Sequence, residues 1–179
     1  MVYLFLADGF EEIEALTPVD MLRRAGIEVT TVSINKEKKV TGAHGIIVSA
    51  DVLSSEIGPE NIDMVILPGG LPGADNLRAD HTVQLFIDEA VKKGAYVAAI
   101  CAAPRILGEK MLLENKRATC YPGFEKYLKG AVCTGEGCVA DGNIITAKGM
   151  GKALEFSVKL IEVLTSVEKA EKIGNSVFA

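Results

Sequence analysis

Short apolar runs that alternate with amphipathic stretches constrain the fold of this chain more than any other feature. The runs "VYLFLAD" (2–8), "DMVILPGG" (63–70) and "AYVAAIC" (95–101) are apolar or small at nearly every consecutive position. Between the last two lies "HTVQLFIDEAVKKG" (81–94), whose apolar residues recur at helical spacing before a terminal glycine. Strands that helices cover on both faces read as near-continuous apolar runs. The alternation therefore predicts an α/β fold with a mostly parallel, doubly wound sheet and helices on both faces.

The segment after the first strand has the pattern of a helix that contains a proline. The stretch "GFEEIEALTPVDMLRRAG" (9–26) has two arginines in its last turn and ends at Gly26, as helix C-termini commonly do. Pro18 predicts a kink or a restart of this helix, with Thr17 as the cap of the restarted part. The remaining predicted strands are 27–34, 45–51 and 142–147, and the remaining predicted helices are 151–165 and 166–179. Since no linker, repeat or low-complexity stretch interrupts this order, we expect a single domain over residues 1–179.

Charge and hydropathy exclude several classes of function. The 179 residues carry a net charge of −5, and the densest basic cluster, "NKEKK" (35–39), is short and contains a glutamate. Nucleic-acid-binding surfaces need extended basic patches, so we expect no nucleic-acid partner. No apolar stretch approaches the length of a membrane-spanning helix, and the first residues lack the basic start of a signal peptide. We therefore expect a cytoplasmic protein without a membrane partner.

The cysteines and histidines do not form a recognisable metal or disulfide pattern. The cysteines are Cys101, Cys120, Cys133 and Cys138, and the two histidines, His44 and His81, lie far from them in the sequence. A structural zinc site needs four clustered nitrogen or sulfur ligands, and no CxxC pair occurs, so we predict no metal. A chain of this size without a secretory signal does not suggest a disulfide framework either. The thiols are expected to be reduced.

Two predicted strands end in residues that suit chemistry. In "ILPGG", Gly69 and Gly70 leave backbone N–H groups open to an oxyanion, although an ordinary strand-to-helix turn also uses glycine. In "AAICAAP", Cys101 follows the next strand, and the flanking alanines leave room for a sharp nucleophile elbow. A helix started by Pro104 would point its positive end at the thiol and favour the thiolate, although many buried cysteines are inert. Since both strands flank one helix, the glycines and the thiol are expected at the same edge of the sheet.

A reactive thiol also needs an acid or base, and the first helix offers three candidates at the same edge. Glu11, Glu12 and Glu14 follow the first strand directly. Acidic residues in a first turn also stabilise a helix through its dipole, which is an alternative reason for their presence. Helical periodicity does not choose between them, because the apolar stripe has Glu11 near its centre and Glu14 at its flank.

Three of these motifs together resemble those of the ThiJ/PfpI superfamily. They are "LADGFEEIEALTPVDMLRRAGIEV", "VILPGGLPGADNL" and "AAICAAPRIL", and the similarity runs over nearly the whole chain. The resemblance implies a flavodoxin-like sandwich and, as is usual in that superfamily, a homodimer. We expect no metal or organic cofactor.

The resemblance also assigns roles to particular residues. It implies that Cys101 is the reactive cysteine, and that Glu14, the third glutamate of "EEIE", is a largely protonated carboxyl that hydrogen-bonds the sulfur. Gly70, next to Gly69, and Ala102 match positions whose backbone N–H groups form an oxyanion-like pocket.

Three further positions match the family less directly. Arg24 matches a basic residue near the dimer interface and the cleft, and His44 matches a neighbouring polar position often filled by arginine. The branch that this chain resembles has a histidine before the proline of the segment matching "TCYPG", and Tyr121 stands there instead. We therefore expect no Cys–His–acid triad, which argues against peptidase or glutaminase chemistry.

Three functions follow as hypotheses. The first is a glyoxalase or protein deglycase in which the Cys101 thiolate attacks methylglyoxal or opens a glycated adduct. The second is a redox-sensing stress protein or chaperone in which Cys101 oxidises to a sulfinate with little turnover, with Cys120 as a resolving or a structural thiol. The third is a non-enzymatic binding or holdase module that keeps Cys101 for packing. The expected ligand of the first is a small aldehyde or a glycated substrate.

Overall fold

The computed structural model of the chain describes residues 1–178. The strands are β1 (Val2–Leu6), β2 (Val29–Ser33), β3 (Lys39–Thr41), β4 (Ile47–Ser49), β5 (Val52–Leu53), β6 (Met64–Leu67), β7 (Tyr96–Ile100), β8 (Arg117–Ala118), β9 (Val132–Cys133), β10 (Cys138–Asp141) and β11 (Ile144–Ala147). The helices are α1 (Glu12–Arg24), α2 (Gly73–Ala79), α3 (His81–Lys93), α4 (Pro104–Glu109), α5 (Ala153–Leu164) and α6 (Val167–Ser176).

A seven-stranded sheet in the order β10-β11-β7-β6-β1-β2-β5 forms the centre of the fold. All its neighbouring pairs are parallel except β10 with β11, which is antiparallel. The prediction of a mostly parallel, doubly wound sheet with helices on both faces is confirmed. The strand order places the ends of β1, β6 and β7 side by side, which brings the three sequence motifs to one edge of the sheet.

Apolar layers on both faces explain the continuous apolar runs of the sequence. Along β1, Leu4 and Phe5 are both fully buried, but they belong to opposite layers. The Phe5 layer contains α3 and is held by Phe86, whose ring meets the Phe5 ring edge-on at 5.1 Å. The Leu4 layer contains Leu22 of α1 and Leu160 of α5. A central strand of this sheet therefore has no polar face.

The prediction of a restart at Pro18 is wrong. Helix α1 runs without interruption over Glu12–Arg24, so Thr17 lies inside it and caps no second helix. Proline removes only one backbone N–H, and the loss is local. Ala15 and Leu22, on either side of the proline, are fully buried in the core and hold both halves of the helix in place. Its end at Gly26, with φ +71°, agrees with the sequence.

Two other predicted elements differ in detail. The predicted strand 45–51 is β4, which pairs with β3 in a separate antiparallel hairpin rather than with the central sheet. The predicted last helix begins at Val167, capped by the Ser166 side chain, and ends at Ser176; position 179 lies outside the described residues. Within residues 1–178 the structure has no helix with the length and apolar character needed to cross a bilayer.

Candidate active site

Cys101 stands at a strained turn directly after β7. Its φ of +65° lies in the left-handed region that non-glycine residues seldom adopt, and such a conformation costs about 1–3 kcal/mol. Two backbone hydrogen bonds fix the turn. The Cys101 N–H donates to the Ala147 carbonyl at 2.9 Å, and the Tyr121 N–H donates to the Cys101 carbonyl at 2.8 Å. The fold thus tolerates backbone strain at Cys101, in a turn that presents the thiol at the end of the strand.

Two glycines after β6 make room for this thiol. A Cβ placed on Gly69 would lie 2.6 Å from the Cβ of Cys101 and 2.6 Å from Oε2 of Glu14, so no other residue fits there without rearrangement. Gly70 has a φ of +84°, which is ordinary for glycine and strained for other residues. Its N–H and that of Ala102 both lower the pKa of the Cys101 thiol, as donors that face a sulfur do. These are the two positions that the family resemblance implies for the oxyanion-like pocket. Gly69, which the sequence also offered as a donor, directs its N–H to Oε2 of Glu14 instead.

Glu14 is the acid that reaches the thiol. It lies in the first turn of α1 and is 0% exposed. Its Oε2 accepts a hydrogen bond from the Gly69 N–H at 2.9 Å, while its Oε1 has no hydrogen-bond partner within the described chain. Burial raises the pKa of Glu14 to about 7, against hydrogen bonds to Cys101 and Gly69 that lower it. A carboxyl that is half protonated near neutral pH suits proton transfer.

Cys101 and Glu14 are electrostatically coupled. Burial raises the pKa of the Cys101 thiol well above its ordinary value, and the Glu14 charge raises it further. The helix expected to favour the thiolate is only six residues long, and it starts three residues after the cysteine. Its dipole therefore does not offset burial. Since two neighbouring buried acids resist ionising together, the pair titrates as a unit, and a proton on Glu14 removes the charge that opposes the thiolate.

The other two glutamates of the motif lie near His44. Oε1 of Glu12 accepts a hydrogen bond from the His44 backbone N–H at 2.8 Å, and Oε2 lies 2.8 Å from Nδ1 of the His44 ring. Burial opposes the charge of Glu12, but these hydrogen bonds prevail and lower its pKa to about 2. Glu11 lies 3.7 Å from the same ring nitrogen. The three residues are the only group with the spacing of metal ligands within residues 1–178, and Glu12 and His44 already satisfy each other.

The structure does not bring Arg24 to the thiol within this chain. Arg24 ends α1, ten residues after Glu14, which corresponds to about 15 Å along the helix axis. Its Nε donates to Oδ2 of Asp20 at 2.6 Å. His44 is likewise held by Glu12 and does not line the cavity at Cys101.

Tyr121, in contrast, lies at the mouth of the site. A cavity of about 200 Å³ opens above the thiol. Its lining consists of Gly70, Leu71, Cys101, Ala102, Tyr121 and Phe124. Sequence reasoning missed Leu71 and Phe124, although the first directly follows the glycine pair and the second lies three residues after Tyr121.

The remaining cysteines lie away from this cavity. Cys120 is buried, and with the exposed Cys133 it lines a separate cavity of about 330 Å³. Cys138 belongs to the edge strand β10 and is partly buried. All four cysteines are free thiols. The placement of Cys120 in another cavity favours its structural interpretation over that of a resolving thiol for Cys101.

Comparisons with known proteins identify the family of this chain. Residues 1–163 match the DJ-1/PfpI family. The chain is 40% identical over 175 residues to the Arabidopsis thaliana protein named DJ-1 homolog B, covering 97% of this chain and 40% of that protein. It thus spans less than half the length of this relative, and also of its homolog A, of which it covers 45%. It is 29% identical over 165 residues to a protein named deglycase from Pyrococcus abyssi, covering 91% of this chain and 98% of that one.

Solved structures give the same result. The structure described as "Toxoplasma gondii DJ-1, oxidized" superposes with a TM-score of 0.95 at 35% identity, covering 99% of this chain and 97% of that one. Such agreement over the whole sheet confirms the flavodoxin-like fold. The family model, the relatives and this structural neighbour all point the same way, and we conclude that the chain belongs to the DJ-1/PfpI family.

Proposed function

We propose that this chain is a cofactor-independent glyoxalase or deglycase that acts on methylglyoxal or on its adducts. One observation carries the proposal: the Cys101 thiol, in a left-handed elbow, lies beside a buried carboxyl, that of Glu14, whose pKa is raised to about 7. A packing cysteine gives no reason for either the backbone strain or the buried acid. The relative named deglycase supports the same chemistry.

The proposed reaction needs only the residues of the site. The Cys101 thiolate adds to the aldehyde carbon of methylglyoxal, and the new oxyanion, next to the N–H groups of Gly70 and Ala102, takes up a proton to give a hemithioacetal. The Glu14 carboxylate removes the hydrogen of that carbon as a proton and returns a proton to the former ketone carbon. The first carbon is oxidised by two electrons and the second is reduced by two, so no external oxidant enters. Water then hydrolyses the thioester, releasing lactate and the thiol.

Glu14 has to act as both base and acid in this scheme. Neither histidine of the chain lines the cavity: His44 is bound to Glu12, and His81 begins α3. Tyr121 occupies the position where the family branch has a histidine, but a phenol is a weak acid at neutral pH. A single carboxyl with a pKa near 7 is a sufficient group for both proton transfers.

The test is the formation of lactate from methylglyoxal by the purified protein. We expect wild type to form lactate, Cys101→Ala to form none, and Glu14→Gln to lose at least 100-fold, the lower range of what a positioned acid or base contributes. Cys133→Ala is the matched control, because that thiol is free and exposed and lies away from the cavity. The proposal fails if wild type forms no lactate, or if Cys101→Ala forms as much as wild type.

A redox sensor is the second candidate, and one observation favours it. The unpartnered Oε1 of Glu14 lies in the same site as the thiol, so a protonated Glu14 could donate a hydrogen bond to an oxidised sulfur. The Toxoplasma gondii neighbour is described as oxidised. Peptide mass spectrometry after mild peroxide treatment tests this: a sensor gains two oxygen atoms at Cys101 first, whereas equal oxidation of the four cysteines rejects it.

We further propose a cytoplasmic homodimer. The apolar side chains of Ile13 and Leu16 on α1 and of Ile46 and Ile47 near β4 are exposed in the single chain. Exposed large apolar side chains on neighbouring elements are typical of a subunit contact. Light scattering after size-exclusion chromatography distinguishes a mass of twice the chain's 19.0 kDa from that of a monomer.

A further inference from the structure

The cavity above Cys101 has an apolar wall on one side. Among residues 1–178, the large side chains that line it are those of Leu71, Tyr121 and Phe124. Leu71 is 52% exposed and Tyr121 is 51% exposed, so both present apolar surface to an incoming molecule. The Phe124 ring meets the Tyr121 ring edge-on at 6.4 Å, which makes the two rings a continuous surface. We call these three residues the apolar wall.

The wall is held in place from behind. The Arg105 guanidinium lies over the Phe124 ring at 5.7 Å, and Arg105 itself is buried and paired with Asp75. On the other side, the Tyr121 ring packs close to Gly149, where an added Cβ would lie 3.4 Å from the ring. The backbone N–H of Tyr121 donates to the Cys101 carbonyl at 2.8 Å, which joins the main chain of the wall to that of the cysteine. A preformed apolar surface binds an apolar group at little cost in ordering.

The charges around the thiol are acidic. Glu14 is the charged group that raises the pKa of the Cys101 thiol, and Glu11 in turn raises that of Glu14. No lysine, arginine or histidine lines the cavity within the described chain. The polar groups available to a ligand are the thiol, the backbone N–H groups of Gly70 and Ala102 and the hydroxyl of Tyr121, and none of them carries a positive charge. An anionic substituent would therefore leave water without a cation to receive it.

We propose that the apolar wall is a subsite for a hydrocarbon substituent, and that the enzyme prefers uncharged oxoaldehydes with an apolar, above all an aryl, group next to the dicarbonyl unit. The carbonyl that reacts lies between the thiol and the two N–H donors, and the substituent lies against Leu71, Tyr121 and Phe124. A substrate with a carboxylate at that place is rejected. The inference rests on the proposed function for the reaction, but the subsite is defined by binding at the thiol and is testable without turnover.

The first experiment measures alkylation of Cys101 by three reagents that share one mechanism. They are iodoacetamide, its N-phenyl derivative iodoacetanilide, and iodoacetate, with each rate divided by the rate for glutathione with the same reagent. Modification of Cys101 is read by peptide mass spectrometry, which separates it from the other three thiols. We expect iodoacetanilide to exceed iodoacetamide by about tenfold, the lower end of what one apolar contact contributes, and iodoacetate to be the slowest.

Two substitutions in the wall and a matched control assign the effect to these residues. Phe124→Ala and Leu71→Ala should each reduce the preference for iodoacetanilide at least threefold. Leu85→Ala removes an equally apolar, partly exposed side chain from α3, away from the cavity, and should leave the preference unchanged. Thermal unfolding of each variant identifies any that fails to fold, and Phe124→Leu, which keeps apolar volume, then replaces Phe124→Ala and should retain part of the preference.

The second experiment compares kcat/KM for phenylglyoxal and for 4-carboxyphenylglyoxal, which differ only in charge at the ring. We expect phenylglyoxal to be favoured by at least tenfold. If the alkylation order holds but neither compound turns over, the subsite stands and the proposed function fails. If lactate forms from methylglyoxal but iodoacetate and iodoacetanilide alkylate Cys101 equally well, the proposed function stands and the subsite is rejected.

Discussion

Replacing Glu14 by glutamine should abolish a large pH dependence of stability. Burial raises the pKa of Glu14 from 4.5 to about 7 in the folded protein, whereas the unfolded chain keeps the ordinary value. The folded state therefore binds the proton more tightly, and the stability that this supplies is complete below pH 4.5 and is lost as the pH rises through 7. The pKa difference of about 2.5, at about 1.36 kcal/mol per pKa unit, gives a loss of about 3 kcal/mol.

Urea unfolding between pH 4.5 and pH 8.5 measures this loss. Glutamine keeps the shape of the side chain and still accepts the Gly69 N–H hydrogen bond, but it cannot ionise. We expect the free energy of unfolding of wild type, relative to that of Glu14→Gln, to fall by about 3 kcal/mol over this range. Subtracting the variant removes the contributions of all other titrating groups. A difference between the two proteins that stays constant with pH would refute the account of Glu14 as a buried acid.

Two further predictions test the surroundings of the site. Gly69→Ala should lower the free energy of unfolding by about 1–3 kcal/mol, because its Cβ would overlap Cys101 and Glu14. The same overlap should slow the alkylation of Cys101. Gly151→Ala is the control: its Cβ has open space, so the free energy of unfolding in the same urea assay should change by less than about 0.5 kcal/mol. Glu12→Gln should lower the free energy of unfolding at pH 7 by about 1–3 kcal/mol, because Glu12 binds His44 as a carboxylate. Since the pKa of Glu12 is lowered to about 2, the difference in stability between wild type and Glu12→Gln should shrink as the pH falls from 4.5 toward 2. A difference that grows over this range would contradict the prediction.

The sequence predicts which strands bring the site together better than it predicts which side chains contact one another there. The runs that end in Gly70 and Cys101 flank one helix, and right-handed crossovers between parallel strands place both ends at one edge. In the structure β6 and β7 are neighbouring parallel strands, as this expectation requires. The positive φ of Cys101 agrees with its alanine-rich flanks, because small neighbours allow a sharp turn.

The choice among the three glutamates could not be made from helical periodicity. Periodicity describes positions within a helix, but Glu11 precedes the first residue of α1 and has an extended backbone. Glu12 is turned to His44, 32 residues away, and Glu14 to Gly69, 55 residues away. Only the tertiary structure fixes which carboxyl meets which partner, and the family resemblance pointed to Glu14, the one that lies beside the thiol.

The residues next to Cys101 in the sequence also do not predict the environment of its thiol. The dipole of a helix after Cys101 favours a thiolate, but α4 has only six residues, and burial by distant parts of the chain outweighs it. Tyr121 joins the site through a backbone hydrogen bond across 20 positions, and Phe124 comes with it. No spacing of residues in the sequence predicts such a contact.

The most direct test of the central claim, that Cys101 and Glu14 share one titrating unit, is the pH profile of Cys101 alkylation by iodoacetamide in wild type and Glu14→Gln. We predict that the wild-type rate rises with pH up to about pH 7 and then levels off, because the charge that Glu14 gains there opposes the thiolate. The rate of Glu14→Gln should show no such break near pH 7. Profiles that coincide over the whole range would contradict the claim and remove Glu14 from the chemistry of the thiol.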